Sequence, residues 1–172
     1  NYILFGVLIL ALAMPSFSFA ASFNTDSRDY QTLRVGNMTD NSGSTSDSWS
    51  TSVNADAGEN ISFAIYYHNT SSETATNVRV RITPQTTGNG TSHTFTAYVW
   101  ADNASQVSGS ATVNLSSSQS ISYRTTDTVV WRPNQTTWGS QTLPNSQSGL
   151  EIFTSSGLLL GNIGPGWSAQ GN

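Results

Sequence analysis

Residues 56–84, with the sequence DAGENISFAIYYHNTSSETATNVRVRITP, decide the fold class of this chain. Apolar side chains occupy every second position of residues 61–67, and the same alternation returns in residues 78–82. A period of two is the pattern of β-strands that bury one face. The turn signal Asp56-Ala57-Gly58 precedes the first strand, and the polar residues 69–77 separate it from the second. The stretch therefore predicts two half-buried strands.

The same pattern continues through the chain on both sides of this stretch. Residues 94–99 alternate in the same way, and no segment after Pro15 has the 3.6-residue period of a helix. Weaker strands are predicted at Thr32–Val35, Trp49–Val53, Ala111–Leu115, Ser120–Arg124, Thr128–Trp131 and Gly149–Phe153. About 7–9 short strands at this spacing predict an all-β fold, an antiparallel β-sandwich.

Two stretches resemble the Ig-like domains that recur in bacterial and archaeal surface proteins, including CARDB-like and S-layer-associated modules. In residues 56–84 a Gly-acidic turn, an alternating strand, His-Asn-Thr, a polar loop and a second strand ending in Pro84 follow one another. Residues 160–168, LGNIGPGWS, are similar to the turn that those domains place before their last strand. The resemblance covers roughly residues 50–170 and implies an Ig-like sandwich. Such modules serve as spacers, adhesin parts and filament subunits, so the fold alone does not give the function.

One departure from that family predicts an open edge. The resemblance implies a final apolar strand after the Gly-Pro-Gly turn, and residues 168–172, SAQGN, do not supply one. Either sequence after Asn172 closes the sandwich, or an extended segment of a neighbouring molecule adds as a strand. The candidate donors are the apolar segment 2–14 and the arm Ser22–Val35, in which Tyr30, Leu33 and Val35 would make the contacts.

The N-terminal segment has two interpretations that the sequence leaves open. Residues 2–14, YILFGVLILALAM, are almost wholly apolar, and Ser18-Phe19-Ala20 places small residues where a signal peptidase would cut before Ala21. The run is shorter than the roughly 20 residues that span a bilayer. The second interpretation is a filament-core segment, with a weak resemblance to type IV pilin N-termini, although Phe5 stands where that family usually has Glu. We therefore expect a signal-like or filament-core segment (1–20), an N-terminal arm or linker (21–48) and the sandwich (49–172).

The composition excludes several functional classes. The formal net charge is -4, and the six basic residues are all scattered arginines. Nucleic-acid binding draws on clustered positive charge, so no nucleic-acid partner is expected. The absence of cysteine excludes disulfides, thiolate chemistry and Cys-based zinc sites, and no cofactor is predicted.

No catalytic or metal motif stands out in the sequence. His68 and His93 are the only histidines, and the sequence places no carboxylate beside either, so both are interpreted as ordinary strand-end residues. The ten acidic residues do not have calcium-loop spacing, and neither a nucleophile elbow nor a phosphate loop is present. We therefore predict that the protein is not an enzyme and has no catalytic or metal-binding residues.

Polar and aromatic residues supply the remaining candidates. Several N-x-Ser/Thr triplets fall in predicted turns or strand ends, where a glycan is tolerated. The glycosylation candidates are Asn37, Asn60, Asn69, Asn89, Asn103, Asn114 and Asn134. Tyr66, Tyr98 and Trp100 lie on the polar side of their strands, and they are candidates for a second buried face or for contacts between subunits.

These features favour a structural protein of the cell surface. The leading hypothesis is a secreted, glycosylated subunit of an extracellular pilus-like filament, assembled as a homopolymer through its N-terminal segment and an open sandwich edge. Contact with the membrane is expected only transiently, through residues 1–20. The alternative hypothesis is a carbohydrate-binding or adhesin module of a larger surface protein, with surface glycans as partners.

Overall fold

The computed structural model describes residues 20–41, 49–85, 87–124, 128, 130–134 and 137–172 of the chain. The described residues are mostly in strands, so the predicted all-β class is confirmed. The Ig-like sandwich arrangement stays a prediction. The strands are β1 (Leu33–Asn37), β2 (Ser52–Ala55), β3 (Ile61–Ile65), β4 (Tyr67–His68), β5 (Ala75–Pro84), β6 (Gly90–Ala101), β7 (Ala104–Gln119), β8 (Val130–Asn134), β9 (Thr137–Gln141), β10 (Leu158–Ile163) and β11 (Gln170–Gly171). One helical turn, α1, spans Met38–Asn41, and 3-10 turns span Pro144–Ser146 and Leu150–Phe153.

The largest sheet has five strands in the order β10-β5-β6-β7-β2. Strand β6 shows why the alternating sequence forms it: Phe95, Ala97 and Val99 are buried on one face, while Tyr98 and Trp100 lie on the other. The predicted antiparallel pairing holds for every named ladder of the described residues except β2–β7, which is parallel. Strand β2 arrives from β1 rather than from a hairpin with β7, so its direction is not fixed by a tight turn.

A second pair of strands, β1 and β3, packs its apolar side chains into the same core. Leu33 and Val35 of β1 and Ile65 of β3 share one buried cluster with the inner face of the five-stranded sheet. Ala21 and Phe23 belong to that cluster as well. The segment predicted as a separate arm is therefore packed into the fold that includes residues 49–172.

β1 also crosses unusually close to β7, and Gly109 makes room for it. A Cβ atom at residue 109 would lie 3.0 Å from the backbone nitrogen of Leu33 and 3.0 Å from the Cβ of Thr32. Such contacts are tighter than most Cβ atoms make, so a larger residue at position 109 would push β1 away from β7 by a few tenths of an ångström.

Several predicted elements differ from the structure. Residues 150–153 form a 3-10 turn instead of a strand, and residues 120–124 have no regular structure. Strand β10 was not predicted because LLLGNI lacks a period of two, and a register shift at Gly161 interrupts its pairing with β5. α1 is a single turn and is too short to show a helical period. Within the described part of the chain, no helix has the length and apolar character needed to cross a membrane.

Candidate functional site: an open strand edge beside an apolar trough

Strand β3 has one hydrogen-bonded neighbour, β1, among the described residues. The backbone bonds around β1 show which groups of β3 face away from it. Val35, opposite Phe63, exchanges both of its backbone hydrogen bonds with Ser50, and Tyr66 N–H donates to Thr32 O. Antiparallel pairs alternate between bonded and non-bonded positions. The backbone N–H and C=O groups of residues 61, 63 and 65 therefore point towards the open edge.

An apolar trough of about 1810 Å³ runs along this edge. It contacts every residue of β3, including those that face the core and those that face outward, as expected of space beside a strand edge. The volume exceeds the roughly 300–1,000 Å³ of typical small-molecule pockets. Apolar side chains from the five-stranded sheet and from residues 115–153 complete the lining: Val80, Ile82, Phe95, Leu115, Ile121, Leu143, Ile152, Phe153, Leu158 and Leu160.

Apolar groups at the trough remain exposed to solvent. Ile61 and Phe63 are only half-buried, although Phe63 packs on Phe95 with ring centroids 4.5 Å apart. Tyr123 and Phe153 form an edge-to-face pair at 4.5 Å and are both exposed. A contiguous apolar surface of this kind typically marks a binding site.

The upper end of the open edge is occupied by β11. Gln170 pairs with His68 and Gly171 with Tyr67, so β11 lies on the same side of the β3–β4 chain as the open edge. Asn69, which is fully buried, holds this end in place: its side-chain amide donates to the carbonyl oxygens of Ile163, Gly164 and Glu73. An added strand that continues the line of β11 would run antiparallel to β3.

A buried polar cluster lies beside β11. His68 Nδ1 is 2.6 Å from Asp29 Oδ1, and Tyr66 Oη is 2.9 Å from the same oxygen. The sequence placed no carboxylate beside His68, because Asp29 is 39 residues away along the chain. Burial, and then the hydrogen bond to Asp29, raise the pKa of Tyr66 well above its usual value near 10. Tyr66 Oη is also 2.9 Å from Gln170 Oε1, so the cluster joins loop 25–31 to β11.

Trp167 covers this cluster from outside. Its ring lies 4.4 Å from the His68 ring, and the Arg28 guanidinium lies 4.2 Å from the tryptophan ring centre. His68 Nε2 is inaccessible and has no hydrogen-bond partner in the part of the chain that the structure describes. The cluster therefore positions β11 and gives a substrate no route to the histidine in this conformation. His93 has a similar local role, because its Nε2 lies 2.8 Å from Gln119 O across the β6–β7 pair.

A group of carboxylates closes the other end of β1. The Asn37 amide donates to Glu59 Oε2 at 2.7 Å and to Asp40 Oδ2 at 3.2 Å. The backbone N–H of Asp56 and the Asn37 amide lower the pKa of Glu59, whereas the nearby Glu59 charge raises the pKa of Asp40. Within the described residues, no group of three or more acidic, histidine or cysteine side chains is arranged to hold a metal ion.

The structure separates the predicted contact residues into different environments. Leu33 and Val35 are 0% exposed in the chain's own core, so they are not available to a neighbour in this fold. Tyr66 is buried too and belongs to the polar cluster, which agrees with the alternative of a second buried face and leaves Tyr66 unavailable to a neighbouring subunit in this fold. Tyr30 is 48% exposed, whereas Tyr98 and Trp100 are half-buried on the outer face of the five-stranded sheet.

The glycosylation candidates divide in the same way. Asn37 and Asn69 are buried, and their amide nitrogens donate several hydrogen bonds, so a glycan cannot be accommodated on either in the folded protein. Asn60 and Asn89 are exposed, while Asn103 and Asn114 are partly exposed. The side chain of Asn134 lies outside the described residues. Exposed or partly exposed candidates therefore remain just before β3 at Asn60, before β6 at Asn89, and at Asn103 and Asn114, just before and within β7.

Comparisons with protein-family models, curated proteins and solved structures gave no match to this chain.

Proposed function

We propose that this chain is a structural subunit of an extracellular, pilus-like filament, in which an extended segment of one copy pairs with the open edge of β3 in the next. The observation that carries the proposal is the backbone of residues 61, 63 and 65, which has no strand partner among the described residues and lies beside an apolar trough. An exposed strand edge is a template for pairing with another chain, and an added strand gains main-chain hydrogen bonds while alternate side chains fill pockets.

The donor in this proposal is the apolar segment 2–14 of a neighbouring copy. The arm Ser22–Val35 is a poor donor because its own backbone is already paired: Phe23 pairs with Asn69, and Leu33 pairs with Ile65. Segment 2–14 would extend about 43 Å as a strand, more than the roughly 17 Å of β3. Its apolar side chains match the trough lining.

The positions of donor and acceptor favour a head-to-tail assembly. Ala21 lies at the start of β7: its N–H donates to Asn103 O, and it pairs with Ala104. Leu115, at the lower end of the trough, lies 11 residues beyond Ala104 along β7, or about 36 Å. A donor that starts at one end of a subunit and an acceptor that opens towards the other end form a contact that does not close on itself, which generates a filament.

The aromatic residues do not favour the alternative of a carbohydrate-binding module. One face of Trp167 packs on His68 and Arg28 covers the ring, while Arg81 lies 4.4 Å from the Tyr98 ring centre. A stacking platform for sugars needs an open aromatic face. These rings are already engaged within the chain.

Deletion of residues 1–20 and the substitution Ile61→Lys test the proposal. Ile61 is half-buried in the trough wall, so the monomer should tolerate a lysine at this position. The lysine places a charge where the donor strand would pack. Thr83→Lys, on the exposed end of β5, is the matched control for the added charge. Assembly is followed by light scattering and electron microscopy.

We expect filaments from the native and Thr83→Lys proteins and monomers from the other two. Filaments from Ile61→Lys with native length and yield would refute the use of the trough. N-terminal sequencing of the natural protein shows whether residues 2–14 are retained; a chain that starts at Ala21 and still forms filaments would exclude this donor.

A further inference from the structure

Arg34 is a buried arginine without a carboxylate partner among the described residues. It lies on β1 and is 6% exposed. Its guanidinium stacks on the Tyr30 ring at 4.0 Å, and one terminal nitrogen donates to Asn172 Oδ1 over a long 3.4 Å. Its Nε atom is inaccessible and has no hydrogen-bond partner within the described ranges of the chain. By contrast, Arg28 on the neighbouring loop has a two-point pair with Asp26.

The guanidinium of Arg34 reaches across β3 to the open edge. Arg34 and Ala64 are opposite one another in the β1–β3 ladder, so both side chains lie on the same face. The small Ala64 side chain leaves space above β3. Asn172 directly follows β11, whose residues pair with the outer side of residues 67 and 68. The contact between Arg34 and Asn172 therefore places the guanidinium at the line along which an added strand would run.

Among the described residues, Arg34 lacks the acidic partner that a buried arginine usually has. Burial lowers the pKa of Arg34, and the groups that act in the opposite direction are Tyr30 and Tyr66 rather than an acidic side chain. A buried charge is retained in proteins when it is paired and hydrogen-bonded. A carboxylate matches the planar fork of arginine better than the single amide oxygen of Asn172 does.

We infer that Arg34 is a carboxylate-binding residue, and that it receives an Asp or Glu side chain of a neighbouring copy when subunits assemble at the β3 edge. The inference rests on the proposed function. Residues 1–25 contain neither Asp nor Glu. The carboxylate consequently comes from the folded part of the neighbour, and each junction has two contacts, an inserted apolar segment and an ion pair.

Two variants separate this role from a purely structural one. Arg34→Met keeps an unbranched apolar side chain and removes the unpaired charge, so the monomer should unfold at the same temperature or up to roughly 8 °C higher. Asn172→Asp supplies a carboxylate within the same chain, so it should raise the unfolding temperature of the monomer by roughly 2–8 °C. In both variants, assembly should fall at least 10-fold. The control is Arg79→Met, which removes an arginine of β5 in the five-stranded sheet. Its guanidinium donates to Ser156 O, away from the β3 edge, so this variant should assemble normally.

A third measurement does not depend on assembly. Sodium acetate, compared with sodium chloride at equal ionic strength, should raise the unfolding temperature of the native monomer but not that of Arg34→Met. Normal assembly of Arg34→Met and Asn172→Asp, in a protein whose assembly is lost on deletion of residues 1–20, overturns the inference and leaves the proposed function standing.

If the native protein does not assemble at all, the proposed function fails. The acetate measurement then decides whether Arg34 binds a carboxylate. Protection by acetate that requires Arg34 then supports a carboxylate site with another source of the ligand. Equal responses of the native protein and Arg34→Met overturn the site. If Arg34→Met does not fold, Asn172→Asp still gives the decision, because it leaves Arg34 in place.

Discussion

Substitution of Asn69 by alanine should remove the bonds that hold three segments together at the upper end of the trough. The side-chain amide nitrogen is 2.7 Å from Glu73 O, 2.9 Å from Ile163 O and 3.1 Å from Gly164 O. Its oxygen accepts from the backbone N–H and the hydroxyl of Ser71. Alanine leaves these groups in place without the partner that joined them.

The expected loss follows from the burial of Asn69, which is 0% exposed. Each hydrogen bond contributes about 1 kcal/mol net, and a buried carbonyl or amide left without a partner costs about 1–3 kcal/mol. Some of the freed groups near residues 71–73 reach water, so the total for Asn69→Ala is about 3–5 kcal/mol. For a protein of this size, that loss lowers Tm by roughly 6–20 °C.

Urea denaturation with an unchanged m-value measures the effect. The control is Asn89→Ala. Asn89 is exposed and, like Asn69, begins an N-x-Ser/Thr triplet, so its substitution should change the free energy of unfolding by less than about 0.5 kcal/mol. Asn69→Asp should be at least as damaging as alanine at pH 7, because a carboxylate would face three carbonyl oxygens. A loss below about 1 kcal/mol for Asn69→Ala would show that the amide does not hold the β11 end in place.

Three other substitutions test separate parts of the structure. Gly157 has φ +68°, and a Cβ there would lie 2.4 Å from Trp100 Cη2, so Gly157→Ala should lower the free energy of unfolding in chemical denaturation by about 3 kcal/mol. Gly88 also has a positive φ but has open space around it, so the control Gly88→Ala should lower it by only about 1 kcal/mol. The pKa of Tyr66 is raised on folding, so its contribution to stability is complete below pH 10 and is lost as the pH rises through the folded-state value. Tyr66→Phe should therefore abolish this alkaline loss of stability in a series of unfolding curves at increasing pH. An equal loss in the variant would contradict the assignment to Tyr66. The pKa of Glu151 is lowered by hydrogen bonds to its carboxylate from the backbone N–H of Glu151, from Ser148 and from Gly149. Its contribution to stability is therefore present above the unfolded pKa near 4.5 and is lost as the pH falls further. Glu151→Gln should flatten the acid side of the plot of stability against pH, whereas an unchanged acid side would exclude this carboxylate as its source.

The trough could be anticipated only in part from the sequence. The alternation in residues 61–67 predicted which side chains would face inward, whereas no strand was expected after Gly164-Pro165-Gly166, and the structure forms β11 there. The residues that define the edge in the structure depend on the pairing of Val35 with Ser50 and of Gly171 with Tyr67. Those pairings join residues 15 to 104 positions apart in the sequence, so no local pattern contains them.

The buried polar groups show the same limit more clearly. Asp29 and His68 are 39 residues apart, and Arg34 contacts Asn172, which is 138 residues away, so no local sequence pattern indicated that either pair would meet. The polar loop 40–47 predicts an N-terminal arm or linker over residues 21–48, whereas Phe23 and Leu33 of this segment pack into the common core. A polar loop marks where the chain is solvated, but it does not determine which elements on its two sides pack together.

What the sequence by itself determined is the strand content of the central part of the chain, residues 61–115. There, every second side chain must leave water, and a period of two satisfies this only in an extended backbone. The tertiary structure alone decided the parallel pairing of β2 with β7, the existence of β10, the position of the β3 edge and the burial of Arg34 without an acidic partner among the described residues. Each of these depends on which distant strand lies alongside, and that choice follows from the packing of the whole core, since local residue preferences are the same for many possible pairings.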